Sequence, residues 1–338
     1  MKSFINRLND PEPMIFDGGF GSQLFARGIE LANSALANEL HPEAVADIHF
    51  DYIEAGSDAV ETNTFVASFP HLEMAGKDPS ESDNLVRRSV ELARAAIERS
   101  GKEVYLGGSI GPLPGAIEAD SGDTVFGIPN QVARDAHEKV ATILAGNGVD
   151  FFCIETMFSA KEAAIAVDVI RQFGLPIAVN LTYKYTRDRT TGNVIYKTDW
   201  GNSAEDLLAI LASGELSDGV DLLDSVQLLG LNCGAESRRD EHTGMPYAIN
   251  GTRQLNAAME QRGMTPKHMM THPNAGKAQL DKNHNTYYAQ SPEEMAGYLP
   301  ELLDAGAFMV GGCCGTGPEH IRAFRQVVDE RCGFVKAG

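Results

Sequence analysis

Eight short apolar runs punctuate the chain, and longer segments with apolar residues every three or four positions lie between them. The runs are Met14–Phe20, Asp58–Phe65, Val104–Ile110, Asp150–Met157, Pro176–Tyr183, Ser225–Cys233, His268–Asn274 and Phe308–Cys314. Most are rich in Val, Ile, Leu and Phe without polar alternation, the pattern of parallel strands covered on both faces. The intervening stretches predict helices. Pro42–Ala55 sets Val45, Ile48, His49, Tyr52 and Ile53 at helical spacing and stops at Gly56. Ser80–Ser100 carries Leu85, Val86, Val90, Leu92, Ala93 and Ile97 and stops at Gly101. Pro129–Gly146, Ser159–Phe173, Ser203–Ala212, Thr252–Arg262, Ser291–Ala305 and Pro318–Glu330 complete the set. Ser159 with Glu162, and Ser291 with Glu294, have the spacing of capping boxes.

Strand followed by helix, repeated around the whole chain, is the arithmetic of an α/β fold of the (β/α)8 TIM-barrel type. The competing architecture is a doubly wound open sheet, which would carry a Gly-rich phosphate turn after its first strand. Asp17-Gly18-Gly19-Phe20-Gly21 is glycine-rich but lacks that spacing. No linker or composition shift divides the chain, so a single domain over residues 1–338 is expected, with the barrel proper at about 14–330. Residues 184–201 read as a long polar loop elaborating the barrel mouth.

Composition narrows the classes of function. The chain has 338 residues, 43% apolar and 22% charged, an ordinary globular balance. Its formal charge of −19 repels nucleic acid and anionic membrane surfaces. No segment is apolar for long enough to cross a bilayer, and Met1 to Pro13 lacks the apolar run of a signal peptide, so a cytoplasmic protein is expected. Five cysteines are too few, and odd in number, for a disulfide framework. Metal binding or chemistry is the remaining question for them.

In such a barrel the active site gathers at the C-terminal ends of the strands. Those ends read Asp17-Gly18-Gly19, Glu61-Thr62-Asn63-Thr64, Gly108-Ser109-Ile110, Glu155-Thr156, Asn180, Asn232-Cys233-Gly234, His272-Pro273-Asn274 and Gly312-Cys313-Cys314-Gly315. Cys233 is distant in sequence from Cys313 and Cys314, but strands six and eight are two apart in a closed barrel. One Zn2+ can bridge them, with thiolates at about 2.3 Å and a fourth position open. A three-thiolate zinc is a weak Lewis acid toward water but stabilises a substrate thiolate, which would be ready to accept an alkyl group. Other readings stay open on this evidence: Cys313 and Cys314 could form a vicinal disulfide. A lone strand-end histidine such as His272 is more often hydrogen-bonded structure than a ligand. Asp17, Glu61 and Glu155 could be rim salt-bridge partners, although Asp17 and Glu155 suit a functional role better. Cys153, inside strand four, and Cys332, on the C-terminal tail, read as inert.

Taken together the motifs resemble the homocysteine S-methyltransferase family, which includes the betaine and S-methylmethionine enzymes and the homocysteine-binding module of cobalamin-dependent methionine synthase. The likeness runs from Asp17-Gly18-Gly19 through Glu61-Thr62-Asn63-Thr64-Phe65, Gly108-Ser109-Ile110-Gly111-Pro112, Glu155-Thr156, Gly230-Leu231-Asn232-Cys233 and Pro273-Asn274-Ala275-Gly276 to Gly311-Gly312-Cys313-Cys314-Gly315-Thr316. The last string, paired with the distant Asn-Cys, is the specific one. The resemblance implies a methyltransferase that holds Zn2+ on Cys233, Cys313 and Cys314, with homocysteine sulfur as fourth ligand. It implies that Asp17 and Glu155 face the ammonium and that the amides of Gly18, Gly19 and Phe20 face the carboxylate. Asn63, Thr64, Ser109 and Asn232 are weaker candidates for supporting or substrate hydrogen bonds.

The expected reaction is methyl transfer from an onium or corrinoid donor to give methionine, with a small-molecule thiol and methyl donor as partners. The alternative is a component that works with a separate corrinoid protein on another methylated substrate or thiol. The betaine enzymes place a Trp before the Leu40-His41-Pro42-Glu43 stretch and a Tyr after the Thr-x-Thr-Phe segment; here those positions hold Asn33 and Val66. That aromatic cage for a quaternary ammonium is missing, and Tyr183, Tyr185 and Trp200 are the residues that could build another. A zinc or thiol sensor is the remaining class, and Asp17 and Glu155 argue against it, because a sensor has no use for amino acid recognition. Oligomeric state has no signature in the sequence.

Overall fold

The computed structural model describes residues 2–234, 239–282 and 286–333. Eight parallel strands form one sheet: Met14–Ile15, Ala59–Glu61, Tyr105–Ile110, Phe151–Met157, Ile177–Leu181, Leu228–Cys233, His268–Pro273 and Ala307–Val310. They are called the first to eighth strands below. From the second to the eighth, each strand pairs with its sequence neighbour, and the first pairs with the eighth, with Met14 opposite Met309 and Ile15 opposite Val310. At the remaining seam side chains complete the ladder: Asp58 donates its N–H to Ile15 O at 2.7 Å and accepts the Ile15 N–H at 2.7 Å. Asp17 Oδ2 then accepts the Glu61 N–H at 2.9 Å. The sheet is thereby a (β/α)8 TIM barrel, as the alternation of patterns predicts.

The strands are buried on both faces, which is why their sequences do not alternate. Met14, Phe16, Phe151, Cys153, Leu228, Met270 and Met309 fill the inner core, and Phe4 from the short helix Phe4–Arg7 stacks on Phe151 with centroids 4.1 Å apart. Cys153 is thus packed inside the barrel. The larger core lies between strands and helices. The helix Pro42–Ala55 ends on Gly56 at φ 111, and Ser82–Ser100 ends on Gly101 at φ 65. Ser291 and Glu294 form a reciprocal capping box. Ser159 caps its helix too, but Glu162 turns away to accept the Leu113 N–H at 2.6 Å instead of closing the box.

Four expectations need correction. The first apolar run is a strand only over Met14–Ile15; after Asp17 the chain turns and Phe20–Ala26 is helical. The helix expected at Thr252 begins at Gly244, because Pro246 sits in its first turn, where a missing N–H costs nothing. Residues 184–201 are not a plain loop: Lys184–Arg187 and Val194–Lys197 pair as an antiparallel hairpin. Cys332 is the last residue of the helix Pro318–Cys332. A second hairpin, Ala278–Leu280 with Thr286–Tyr288, follows the seventh strand. Among the described residues no helix is long and apolar enough to cross a membrane.

Candidate active site

A cavity of about 1300 Å³ opens at the C-terminal ends of the strands. Its floor is made by Cys233, Cys313 and Cys314, whose sulfurs lie within 4.8 Å of one another. Cys233 ends the sixth strand in the left-handed region at φ 56, followed by Gly234 at φ 76. Such a conformation in a residue with a Cβ persists only where the surroundings hold it. Here Cys233 O accepts the Asn274 N–H at 3.2 Å, and Thr182 Oγ1 accepts the Gly234 N–H at 3.1 Å. Cys313 and Cys314 follow the eighth strand. The Cys313 N–H donates to Pro273 O at 2.8 Å, and the Cys314 N–H donates to Asn274 Oδ1 at 3.0 Å. Asn274 therefore ties both cysteine-bearing segments to the end of the seventh strand.

The Gly-Gly turn after the first strand serves this loop. A Cβ on Gly19 would lie 2.4 Å from Cys313 O, so only glycine allows the two segments to pack. Thr316 Oγ1 locks the contact by accepting the Gly19 N–H at 3.0 Å and donating to Cys313 O at 2.6 Å.

Three sulfurs in this arrangement fit a zinc ion. A tetrahedral site with Zn–S bonds of about 2.3 Å needs sulfur–sulfur edges of roughly 3.8 Å, and Cys313 Sγ and Cys314 Sγ stand 4.0 Å apart. Hydrogen bonds from Cys233 and Cys313 hold the Cys314 thiol well below the usual range, while hydrogen bonds with Cys233 and Cys314 push Cys313 up. No other metal-holding group occurs among the described residues. His272 lies outside that trio. Its ring packs edge-on to Phe16 at 5.5 Å, Nε2 has no partner, and burial pushes its pKa down to about 3, which keeps it neutral.

Beside the sulfurs stand three carboxylates from three strand ends, Asp17, Glu61 and Glu155. No lysine or arginine pairs with any of them among the described residues, so they are not rim salt-bridge partners. Asp17 Oδ1 and Glu61 Oε2 are buried without a hydrogen-bond partner. Burial raises the pKa of all three. The Glu155 charge adds to the rise of Asp17, and the Glu155 and Asp17 charges add to that of Glu61. Glu61 and Glu155 line the cavity and Asp17 does not; buried carboxylates that repel one another are suited to receive a cation.

The other sequence-predicted residues divide into two groups. Gly18, Gly19, Asn63, Ser109 and Glu155 line the cavity; Thr64 and Asn232 do not. Most of their hydrogen bonds are internal. Asn63 Nδ2 donates to Ser34 O and to Asn38 Oδ1, both at 2.9 Å. Thr64 Oγ1 donates to Ser109 O at 2.6 Å, and Ser109 Oγ donates to Glu155 Oε1 at 2.5 Å. Asn232 binds Glu155 and Thr156. Thr64 and Asn232 thus brace neighbouring site side chains, and the Gly19 amide is taken by Thr316.

The mouth is aromatic: Phe65, Phe158, Trp200, Tyr287 and Tyr288 line it. Tyr183 and Tyr185 do not. Tyr183 is buried, and Tyr185 stacks on His242 at 4.1 Å. Asn33 uses its side chain to cap Ala35 and to bind Val66 O at 2.7 Å. Two further lining residues stand outside the sequence-predicted set: Tyr288, which the second hairpin carries against Gly315, and Glu61, which ends the second strand.

The family model described as homocysteine S-methyltransferase matches residues 14–328. Homocysteine S-methyltransferase 4 of Zea mays is 25% identical, over 94% of this chain and 89% of that protein. The homocysteine S-methyltransferase of Escherichia coli strain K12 is 27% identical, over 94% of this chain and 96% of that protein. The metallated crystal structure of the homocysteine methyltransferase MmuM from Escherichia coli shares the fold, with a TM-score of 0.68 over 95% of this chain and 98% of that one at 22% identity.

Proposed function

Since the chain belongs to the homocysteine S-methyltransferase family and is a thiol S-methyltransferase, we propose that its acceptor is homocysteine and its donor a small methyl-onium compound, giving methionine. The observation that carries this reading is the meeting, in one cavity, of three clustered sulfurs with Glu155 and the unpartnered carboxylate oxygen of Glu61, while the equally unpartnered Asp17 lies outside the lining. An amino acid with a side-chain thiol has complementary ends for both.

Cys233, Cys313 and Cys314 would hold the zinc, which when bound lowers the pKa of an incoming thiol so that it is available as thiolate at neutral pH. Asp17 Oδ1 and Glu61 Oε2, with Glu155, take the substrate ammonium, which relieves the repulsion that burial imposes on them. Ser109 orients Glu155 by its hydrogen bond to Oε1. Gly18 and Phe20, which line the same cavity, would offer backbone amides to the substrate carboxylate.

The sulfur then displaces the carrier from the methyl group. The S–H bond and the donor's bond to methyl break, S–CH3 forms, and the carrier leaves neutral with a proton released to solvent. A cationic donor suits this chain. Its charge of −19 draws cations, and the faces of Phe65, Phe158 and Trp200 at the mouth attract an onium group. The test is turnover of homocysteine with sulfonium and quaternary ammonium donors. Methionine formed from one of them supports the reading, and no methylation of homocysteine by either class overturns it.

A further inference from the structure

Asn232 is fully buried, and its side-chain amide spends every bond on two residues of the fourth strand. Oδ1 accepts the Thr156 N–H at 2.7 Å, while Nδ2 donates to Thr156 Oγ1 at 2.6 Å and to Glu155 Oε2 at 3.2 Å. Two further facts make this clamp more than packing. Thr156 is held at φ 54, a left-handed conformation that a β-branched residue adopts only under restraint. The pairing of the fourth and fifth strands also shifts register between Ile154 and Met157, so Glu155 sits on an irregularity that re-aims its side chain. Asn232 is bonded to the next residue of its own chain, Cys233, which is likewise held at φ 56. One side chain therefore connects a sulfur of the cavity floor to a carboxylate of its wall through hydrogen bonds and a single peptide unit.

We propose that Asn232 is a positioning residue that fixes the spacing between the thiol-binding and ammonium-binding ends of the site, and so selects homocysteine over cysteine. The inference rests on the reading of Glu155 as an ammonium partner and of Cys233 as part of the thiol site. The two thiols differ by one methylene between sulfur and amino carbon. A site of adjustable span could satisfy either, whereas a rigid one satisfies the length it was built for. One methylene is ordinarily discriminated by roughly 10- to 200-fold.

The test compares kcat/KM for homocysteine and cysteine in the zinc-loaded wild type and in Asn232→Ala, with zinc per chain measured on both. In the variant, kcat/KM for homocysteine should fall by about tenfold or more, mainly through KM. The homocysteine-to-cysteine ratio should fall at least about fivefold, and zinc should stay at the wild-type level. Thr156→Val removes only the Oγ1 contact and should relax the ratio in the same direction, which keeps the test alive if the alanine variant does not fold. Equal falls for both thiols, or loss of zinc with the activity, would overturn the inference while leaving the homocysteine reading standing. A wild type that methylates neither thiol would overturn both.

Discussion

His49 sits on the Pro42–Ala55 helix with no exposed surface, its ring 5.0 Å from that of Phe20, and neither ring nitrogen has a hydrogen-bond partner. Burial pushes its pKa down to about 3. The unfolded chain takes up this proton near pH 6.5 and the folded chain only near 3, so between those values the unfolded state binds more protons. The stability that neutral His49 allows is complete above about pH 6.5 and is lost as pH falls. At pH 5 the loss is about 2 kcal/mol, from 1.5 pH units at about 1.4 kcal/mol each. His49→Leu removes the titration and also the two unsatisfied nitrogens, which should stabilise the fold by about 1–3 kcal/mol at any pH. Urea unfolding of both proteins at pH 7.5 and pH 5, at one ionic strength, reads the difference directly. Groups common to both chains, including His272 and the three carboxylates, cancel in it. The variant should be the more stable at pH 7.5, and the gap should widen by about 2 kcal/mol at pH 5. A gap that does not change with pH would refute the buried neutral state of His49. A variant less stable than wild type at pH 7.5 would refute its orphaned nitrogens.

Asp17→Asn keeps an acceptor for the Glu61 N–H but discharges the unpartnered oxygen proposed to meet the ammonium. The KM for homocysteine should rise about tenfold or more with zinc content and melting temperature little changed; an unaltered KM removes Asp17 from the ammonium pocket. Gly19→Ala forces Cβ to within 2.4 Å of Cys313 O unless the loop moves. Zinc affinity, read by competition with a chromophoric chelator, should weaken by about 10- to 100-fold, and wild-type affinity would show that the loop shifts without disturbing its sulfurs.

The barrel was legible because the strands are largely apolar on both faces and most of the long helices carry an apolar stripe; the predicted Pro42–Ala55 and the structure coincide residue for residue. The cysteine trio was legible for a topological reason, since strand order places the ends of the sixth and eighth strands around the seventh. What escaped depends on contacts that leave no periodic trace. The Phe20–Ala26 helix begins where the Gly-Gly turn must clear Cys313. Both hairpins have strands of only three or four residues, too short for a period to show, and the second is largely exposed as well. Thr64 and Asn232 sit at strand ends like true site residues, but their side chains turn inward to brace Ser109 and Glu155. A strand-end position thus marks membership of the site region, and only the hydrogen bonds separate a substrate contact from its support.

Thiol activation in this barrel requires the three sulfurs to act as one metal centre. The most direct measurement is zinc per chain, by mass spectrometry, in wild type and Cys313→Ser purified under reducing conditions, with circular dichroism to confirm the barrel. About one zinc in the wild type and almost none in a folded Cys313→Ser chain, with homocysteine methylation lost alongside it, is the predicted result. Reduced wild-type protein without zinc, or stoichiometric zinc retained by the serine variant, would contradict it.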